Sequence, residues 1–233
     1  MKAMILAAGR GERMRPLTGQ LPKPMLEVGG HPLIEYHLAA LAAIGVREVI
    51  VNLSWHGGRI REAFGDGAAH GIAIRYSVEG PEPLGTAGGI VAALPLLGDA
   101  PFLVLNGDVW TDFDLGALRA PAGSLAHLVL VDNPDHHPQG DYGLESSGRA
   151  TAGPGALTFS GVSLLDPALF DGCTPGFRAL KPLLDAALAA GRLTGQRHAG
   201  AWRDVGTPAR LAELDAELRL SRFRHPVLSS PVG

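Results

Sequence analysis

The sequence is poor in the groups that staple small proteins or draw them to polyanions. It holds one cysteine, Cys173, in 233 residues. That excludes an internal disulfide and a cysteine-only metal site, and it fits a reducing compartment. Aromatic residues are 6% and charged residues 18% of the chain, so Ala, Leu, Val and Gly must fill the interior. The formal net charge of −3 offers no basic field to recruit nucleic acid. No run of roughly 18 uncharged apolar residues occurs, so no membrane span is expected. The apolar run at the N-terminus stops at Gly9 and passes into charge, too short for a signal-peptide core, and the cytoplasm is the expected compartment. There is no internal repeat and no linker. One domain over residues 1–220 is expected, followed by a flexible tail, 221–233, rich in Pro, Ser and Arg.

What the chain does have is 46% hydrophobic residues and 32 glycines, many at the ends of apolar runs, as tight strand-to-helix connections require. Ala3 to Ala7 predicts a buried strand. Pro32 opens a helix whose apolar positions run from Leu33 to Ile44 and which Gly45 stops. Glu48 to Leu53 predicts a β-branched strand, and His56 to Phe64 a helix. Alternation at Ile72, Ile74, Tyr76 and Val78 predicts a third strand, Thr86 to Leu96 a helix, and Phe102 to Leu105 a strand ending at Asn106-Gly107-Asp108. Later, Leu125–Val131, Leu157–Leu165 and Ala201–Val205 read as strands, and Phe177–Ala190 and the segment opened by Thr207-Pro208 as helices. This alternation predicts a three-layer α/β fold with a mixed, mainly parallel central sheet. Ligands in such sheets bind at the carboxyl ends of the strands, here the loops after Ala7, Val78 and Leu105.

The first of those loops carries the most unusual residues. Gly9 and Gly11 allow backbone N–H groups to approach an anion. Arg13 and Arg15 add guanidinium groups that can grip two phosphate oxygens at once. Lys23 stands between Pro22 and Pro24, which stiffen the backbone around it. The segment therefore reads as a phosphate cradle. It is neither a dinucleotide fingerprint, because Met14 occupies the third glycine position, nor a P-loop, because no Gly-Lys pair exists.

The segment Leu6-Ala7-Ala8-Gly9-Arg10-Gly11-Glu12-Arg13-Met14-Arg15-Pro16-Leu17-Thr18, with Pro22-Lys23-Pro24, resembles the signature of the nucleoside-triphosphate sugar-1-phosphate nucleotidyltransferases at every fixed position. The resemblance extends over nearly the whole chain, to about Leu220. It implies a Rossmann-like nucleotide-diphospho-sugar transferase fold and an Mg²⁺-dependent enzyme. The runs Asn106–Asp112, Leu128–Pro134 and Leu157–Gly161 are similar to those of short uridylyltransferases of the family. UTP and a sugar 1-phosphate are then the expected substrates, with no nucleic-acid or membrane partner and a monomeric state. By resemblance, Arg13 and Lys23 are catalytic, stabilising the α-phosphate under attack. Leu6, Ala7, Ala8, Gly9, Gly11, Glu12, Arg13 and Lys23 would contact the triphosphate. Glu79 and the Leu84-Gly85-Thr86-Ala87-Gly88 run would meet base and ribose, through Gly85, Thr86 and Gly88.

A lone carboxylate such as Asp108 at a strand end can be a turn former, and Asp204 an ordinary loop residue. A triphosphate needs a divalent cation, however, and Mg²⁺ takes one or two carboxylates together with phosphates and waters. The family's N-G-D and late W-x-D-x-G-T motifs match Asn106–Asp108 and Trp202–Thr207, which makes Asp108 and Asp204 the expected metal pair. Asn106, Asp141, Gly143, Ser160 and Gly161 are the expected sugar contacts. Many relatives carry Glu-Lys after the glycine at 143, where this chain has Leu144-Glu145-Ser146. Lys181 could supply the contact to the sugar's phosphate that the missing lysine makes in those relatives, but it reads first as a helix-surface lysine, and His136 and His137 read as surface residues. No appended β-helix follows, so acetyl transfer is not expected. The rival readings are glucose 1-phosphate as acceptor, dTTP as donor, a catalytically silent nucleotide-sugar sensor, and a dinucleotide-binding reductase.

Overall fold

The computed structural model describes residues 1–82, 84–153 and 156–228. Seven strands form one twisted sheet: β1 (Ala3–Leu6), β2 (Glu48–Leu53), β3 (Ala73–Val78), β4 (Phe102–Asn106), β6 (Ala126–Val131), β7 (Thr158–Leu165) and β8 (Leu193–Arg197). A separate two-stranded ribbon pairs β5 (Val109–Thr111) with β9 (Trp202–Asp204). In the large sheet the order is β8-β6-β7-β4-β1-β2-β3. Only β7 runs antiparallel to its neighbours, and every other pairing is parallel. The expected mixed, mainly parallel sheet is what forms, and β8 is a strand the sequence pattern did not reveal.

The helices are α1 (Leu33–Ala43), α2 (Gly57–Phe64), α3 (Gly85–Leu97), α4 (Lys181–Ala189) and α5 (Pro208–Arg219). Strand alternation splits the core into two layers. Ile5 of β1 and Leu103 and Leu105 of β4 face Ile34, Leu38 and Leu41 of α1 and Ile60 and Phe64 of α2. Met4, Phe102 and Val104 face Ala87, Ile90, Ala93 and Leu97 of α3 and Leu184 and Ala187 of α4. Each such large side chain contributes roughly 1.5–3 kcal/mol on burial. A third cluster, with Met14, Tyr36, Trp110, Val205, Leu214 and Leu218, lies under α5. Phe223 stacks on Trp110 at 5.8 Å between ring centroids, and His225 meets the edge of Tyr36 at 5.1 Å. Of the expected tail, residues 229–233 lie outside the described residues.

The boundaries follow local chemistry. Gly45 has φ 81°, and beyond it Val46 N reaches back to Leu41 O at 3.0 Å, closing α1 where the glycine stood. Thr207 Oγ1 caps α5 by accepting from Arg210 N at 3.3 Å. Two expectations are corrected. The helix expected from Phe177 begins only at Lys181, because main-chain groups of Arg178 are engaged elsewhere: its carbonyl accepts from Ala87 N and Gly88 N at the start of α3. At the end of β3 the alternation fails, with Ser77 buried and Val78 69% exposed, at the rim where no layer covers it.

Candidate active site

The chain steps outward from β1 to β2 to β3, then α3 carries it back so that β4 lands on the other side of β1. Loops leaving β1 and β4 therefore diverge at a topological switch point, the place where such sheets bind ligands. Gly107 N donates to Leu6 O at 2.9 Å, and a Cβ at 107 would sit 2.6 Å from that oxygen. The glycine of Asn106-Gly107-Asp108 is what lets the two loops meet.

The loop after β1 is pinned on several sides. Gly11 has φ 60° with its α-carbon against Thr18, which is 1% exposed and donates its hydroxyl to Gly11 O at 2.8 Å. Trp55 Nε1 donates to Thr18 O at 3.2 Å, and a His56 ring nitrogen lies 3.0 Å from Gly19 O. Arg10 reaches across to Pro81 O at 2.9 Å. Met14 is fully buried while its neighbours Glu12, Arg13 and Arg15 are exposed. Arg13 makes no ion pair among the described residues. Lys23 projects into the cleft, where its Nζ lies 2.5 Å from Asp108 Oδ2.

Asn52, at the end of β2, is a site residue that the sequence reading missed. Its Oδ1 accepts from Ala7 N at 2.7 Å and its Nδ2 donates to Glu79 Oε1 at 2.6 Å. Both side chains are buried, so this bridge fixes the floor of the cleft between the first loop and the loop after β3. The available signal was a polar residue closing a β-branched run. Gly89 is needed beside it, since a Cβ there would stand 2.6 Å from Glu79 Oε1. Gly85 and Thr86 line the cleft, whereas Gly88 packs against the Gly176 carbonyl.

The cleft has a volume of about 270 Å³ between Leu6–Gly9, Lys23, Asn52, Glu79, Gly85, Thr86, Asn106 and Asp108. A second hollow of about 440 Å³ shares Gly85, Thr86 and Asn106 and extends to Asp141, Tyr142, Phe159, Phe177 and Lys181. The two are one continuous groove. Asp141 is held by Phe159 N at 2.8 Å, with His137 Nε2 at 3.3 Å. Opposite Asn106, β7 bulges at Gly161, with φ 84° and no room for a Cβ beside Asn106 Nδ2. Ser160 is 1% exposed, its hydroxyl taken up by Val162 N and its carbonyl by Trp202 Nε1. Gly143 is packed on Thr151. Asn106 and Asp141 thus face the groove, while Gly143, Ser160 and Gly161 shape it without lining it.

The ribbon β5–β9 brings the backbones of the two expected metal residues side by side. Asp204 pairs in register with Val109, and Val205 N donates to Asp108 O at 2.8 Å. Asp108 faces the groove. Asp204 instead receives Arg210 Nη1 at 2.7 Å on both oxygens, with His136 Nε2 at 3.1 Å. No group of three or more His, Cys, Asp or Glu gathers as metal ligands among the described residues. Carboxylates are hard oxygen donors of the kind that suits Mg²⁺ when phosphate oxygens and waters complete the octahedron. No helix among the described residues is long and apolar enough to cross a membrane.

Comparison with known proteins gives a consistent picture. The model of the family described as nucleotidyl transferase matches residues 2–153. The chain is 52% identical to the N-acetylmuramate alpha-1-phosphate uridylyltransferase of Neisseria meningitidis, over 93% of this chain and 97% of the relative. It is 34% identical to the protein of the same description from Caulobacter vibrioides, over 94% and 96%. A crystal structure of a putative glucose-1-phosphate thymidylyltransferase from Bacillus anthracis superposes with a TM-score of 0.82 at 23% identity, covering 97% of this chain and 96% of that one.

Proposed function

The chain belongs to the nucleotidyl transferase family, and from that premise we propose that it joins UTP to N-acetylmuramic acid 1-phosphate, giving UDP-N-acetylmuramic acid and pyrophosphate. The observation that carries this reading is the end-to-end similarity to the Neisseria relative. The groove supports it, because its two halves meet where a nucleotide's α-phosphate and an acceptor phosphate must meet.

The reaction is a single in-line displacement. An oxygen of the sugar phosphate forms a bond to the α-phosphorus as the bond to the bridging oxygen breaks, and pyrophosphate leaves with the electron pair. The attacking phosphate is already ionised near neutral pH, so no general base is required. What the chain supplies is position and charge. Lys23 and Arg13 neutralise the negative charge that grows on the α-phosphate. The amides after β1, held in shape by Asn52 and Glu79, cradle the triphosphate, and Gly85 and Thr86 meet base and ribose. Asp108 and Asp204 would hold Mg²⁺, which when bound neutralises phosphate charge and orients the triphosphate. The proposed state is a monomer. The proposed compartment is the cytoplasm, and the product is an activated sugar of the kind made in peptidoglycan recycling.

The test is pyrophosphate release with UTP and Mg²⁺, comparing N-acetylmuramic acid 1-phosphate, N-acetylglucosamine 1-phosphate and glucose 1-phosphate. Preference for the first is expected. Preference for another sugar would keep the chemistry and replace the substrate, and no release with any of them would leave a nucleotide-sugar sensor.

A further inference from the structure

We infer that Lys181 selects the acceptor by pairing with the carboxylate of its lactyl ether, an inference that rests on the muramic acid reading above. N-acetylmuramic acid 1-phosphate is anionic at two ends: the phosphate on C1 and the lactyl carboxylate on the oxygen of C3. The phosphate must lie where the two halves of the groove join, near Asn106, within reach of the nucleotide beside Lys23. The rest of the sugar then extends into the part of the second hollow that the nucleotide half does not share. The charged side chains lining that part are Asp141 and Lys181. Asp141 repels a carboxylate, so Lys181 is the cation available to receive one.

Its placement is directed. Lys181 Nζ lies 2.8 and 3.1 Å from the two oxygens of Asp185 and 5.1 Å from the centroid of the Tyr142 ring, which also lines the hollow. Tyr142 Oη donates to the same Asp185 at 2.8 Å. The ammonium is therefore tethered at the rim of the hollow, on a side chain that stays largely exposed. An ammonium carries three donors, and the Asp185 pair uses two. Even full exchange of partners costs little: the two side chains are 63% and 47% exposed, and an exposed i,i+4 pair contributes only about 0.3–0.5 kcal/mol. Asp185 would keep the tyrosine hydroxyl. Lys181 also stands in the first turn of α4, where the helix dipole disfavours a cation, so helix electrostatics do not account for it. The flanking Phe159 and Leu184 supply an apolar wall that lowers the local dielectric and strengthens a new ion pair.

The experiment is steady-state kinetics with UTP on the full-length chain, using N-acetylmuramic acid 1-phosphate and N-acetylglucosamine 1-phosphate, which differ by the lactyl group. Lys181→Ala is expected to raise KM for the muramic acid substrate about tenfold or more, equivalent to at least about 1.4 kcal/mol, with kcat little changed and KM for the glucosamine substrate unmoved. Lys181→Arg is expected to restore most of the difference. Equal losses on both acceptors would assign Lys181 to the shared phosphate, and no change on either would make it a surface residue; each overturns the inference while leaving the proposed function intact. Wild-type protein inactive on the muramic acid substrate would overturn both.

Discussion

Arg210 Nη1 lies 2.7 Å from each carboxylate oxygen of Asp204, in a position that only a glycine at 206 leaves open. Asp108 meets Lys23 in the same way across the groove. Each carboxylate of the proposed metal pair thus has a cationic side chain as its partner. A divalent ion using Asp204 competes directly with Arg210. Arg210→Gln should therefore bind Mg²⁺ about tenfold more tightly than wild type without nucleotide, measured by calorimetry. Arg203→Gln removes a neighbouring charge whose guanidinium is bonded to Glu217 instead, and should change affinity far less. Unchanged or weaker Mg²⁺ binding in Arg210→Gln would show that Arg210 does not compete for the site.

Lys23 has a side chain 12% exposed and aimed into the groove. If it stabilises charge on the α-phosphate, Lys23→Ala should lower kcat by roughly 10²–10³, the usual loss for one transition-state contact. The melting temperature should move little, since the pair it makes with Asp108 is partly exposed. Near wild-type turnover would take Lys23 out of the chemistry.

The fold was legible where local pattern and burial agree. The apolar runs at Ala3–Leu6, Glu48–Leu53 and Phe102–Asn106 became the central parallel strands. What was not legible depended on long-range partners. Leu193–Arg197 contains Thr, Gly, Gln and Arg and shows no strand pattern, yet it pairs with β6 from Ala126 to Leu130. The helix expected from Phe177 lost its first turn to a carbonyl that caps α3. At the site, the glycines and Lys23 were singled out by spacing, whereas Asp108 entered only through the family resemblance. Asn52 did not, because a single asparagine ending a strand has no motif, and its importance appears only when Ala7 and Glu79 arrive from elsewhere in the chain.

That bridge makes a test of its own. Asn52→Ala leaves the Ala7 N–H and the Glu79 carboxylate without their partner in a buried place. Each orphaned group costs about 1–3 kcal/mol, so a total loss of roughly 2–6 kcal/mol is expected, or roughly 4–24 °C in melting temperature for a chain of this size. The triphosphate loop rests on the bridge, so KM for UTP should rise as well. A variant with wild-type stability and KM would mean that water replaces the amide.

Acid stability tests the packing beneath the site. His37 on α1 lies under the turn from Asn106 to Val109, and burial pushes its imidazole down to about 4, against the opposing pull of main-chain groups there and the charge of Asp108. Burial also takes His225 down to about 4, with the charge of His37 adding to the effect and Asp112 opposing it. Both rings are neutral in the folded chain, while in the unfolded chain they protonate near the ordinary value of 6.5. Between those limits the unfolded state binds more protons, so stability falls as pH drops. Above about 6.5 the two groups have no effect, and the loss is complete near pH 4. For the fully buried His37 the loss is on the order of 3 kcal/mol at most. Urea midpoints measured from pH 7.5 down to 4.5 should therefore decline, and His225→Gln should flatten the decline because one of the two groups no longer titrates. A midpoint that holds steady to pH 5 in the wild type would show that these imidazoles reach solvent and protonate within the folded state.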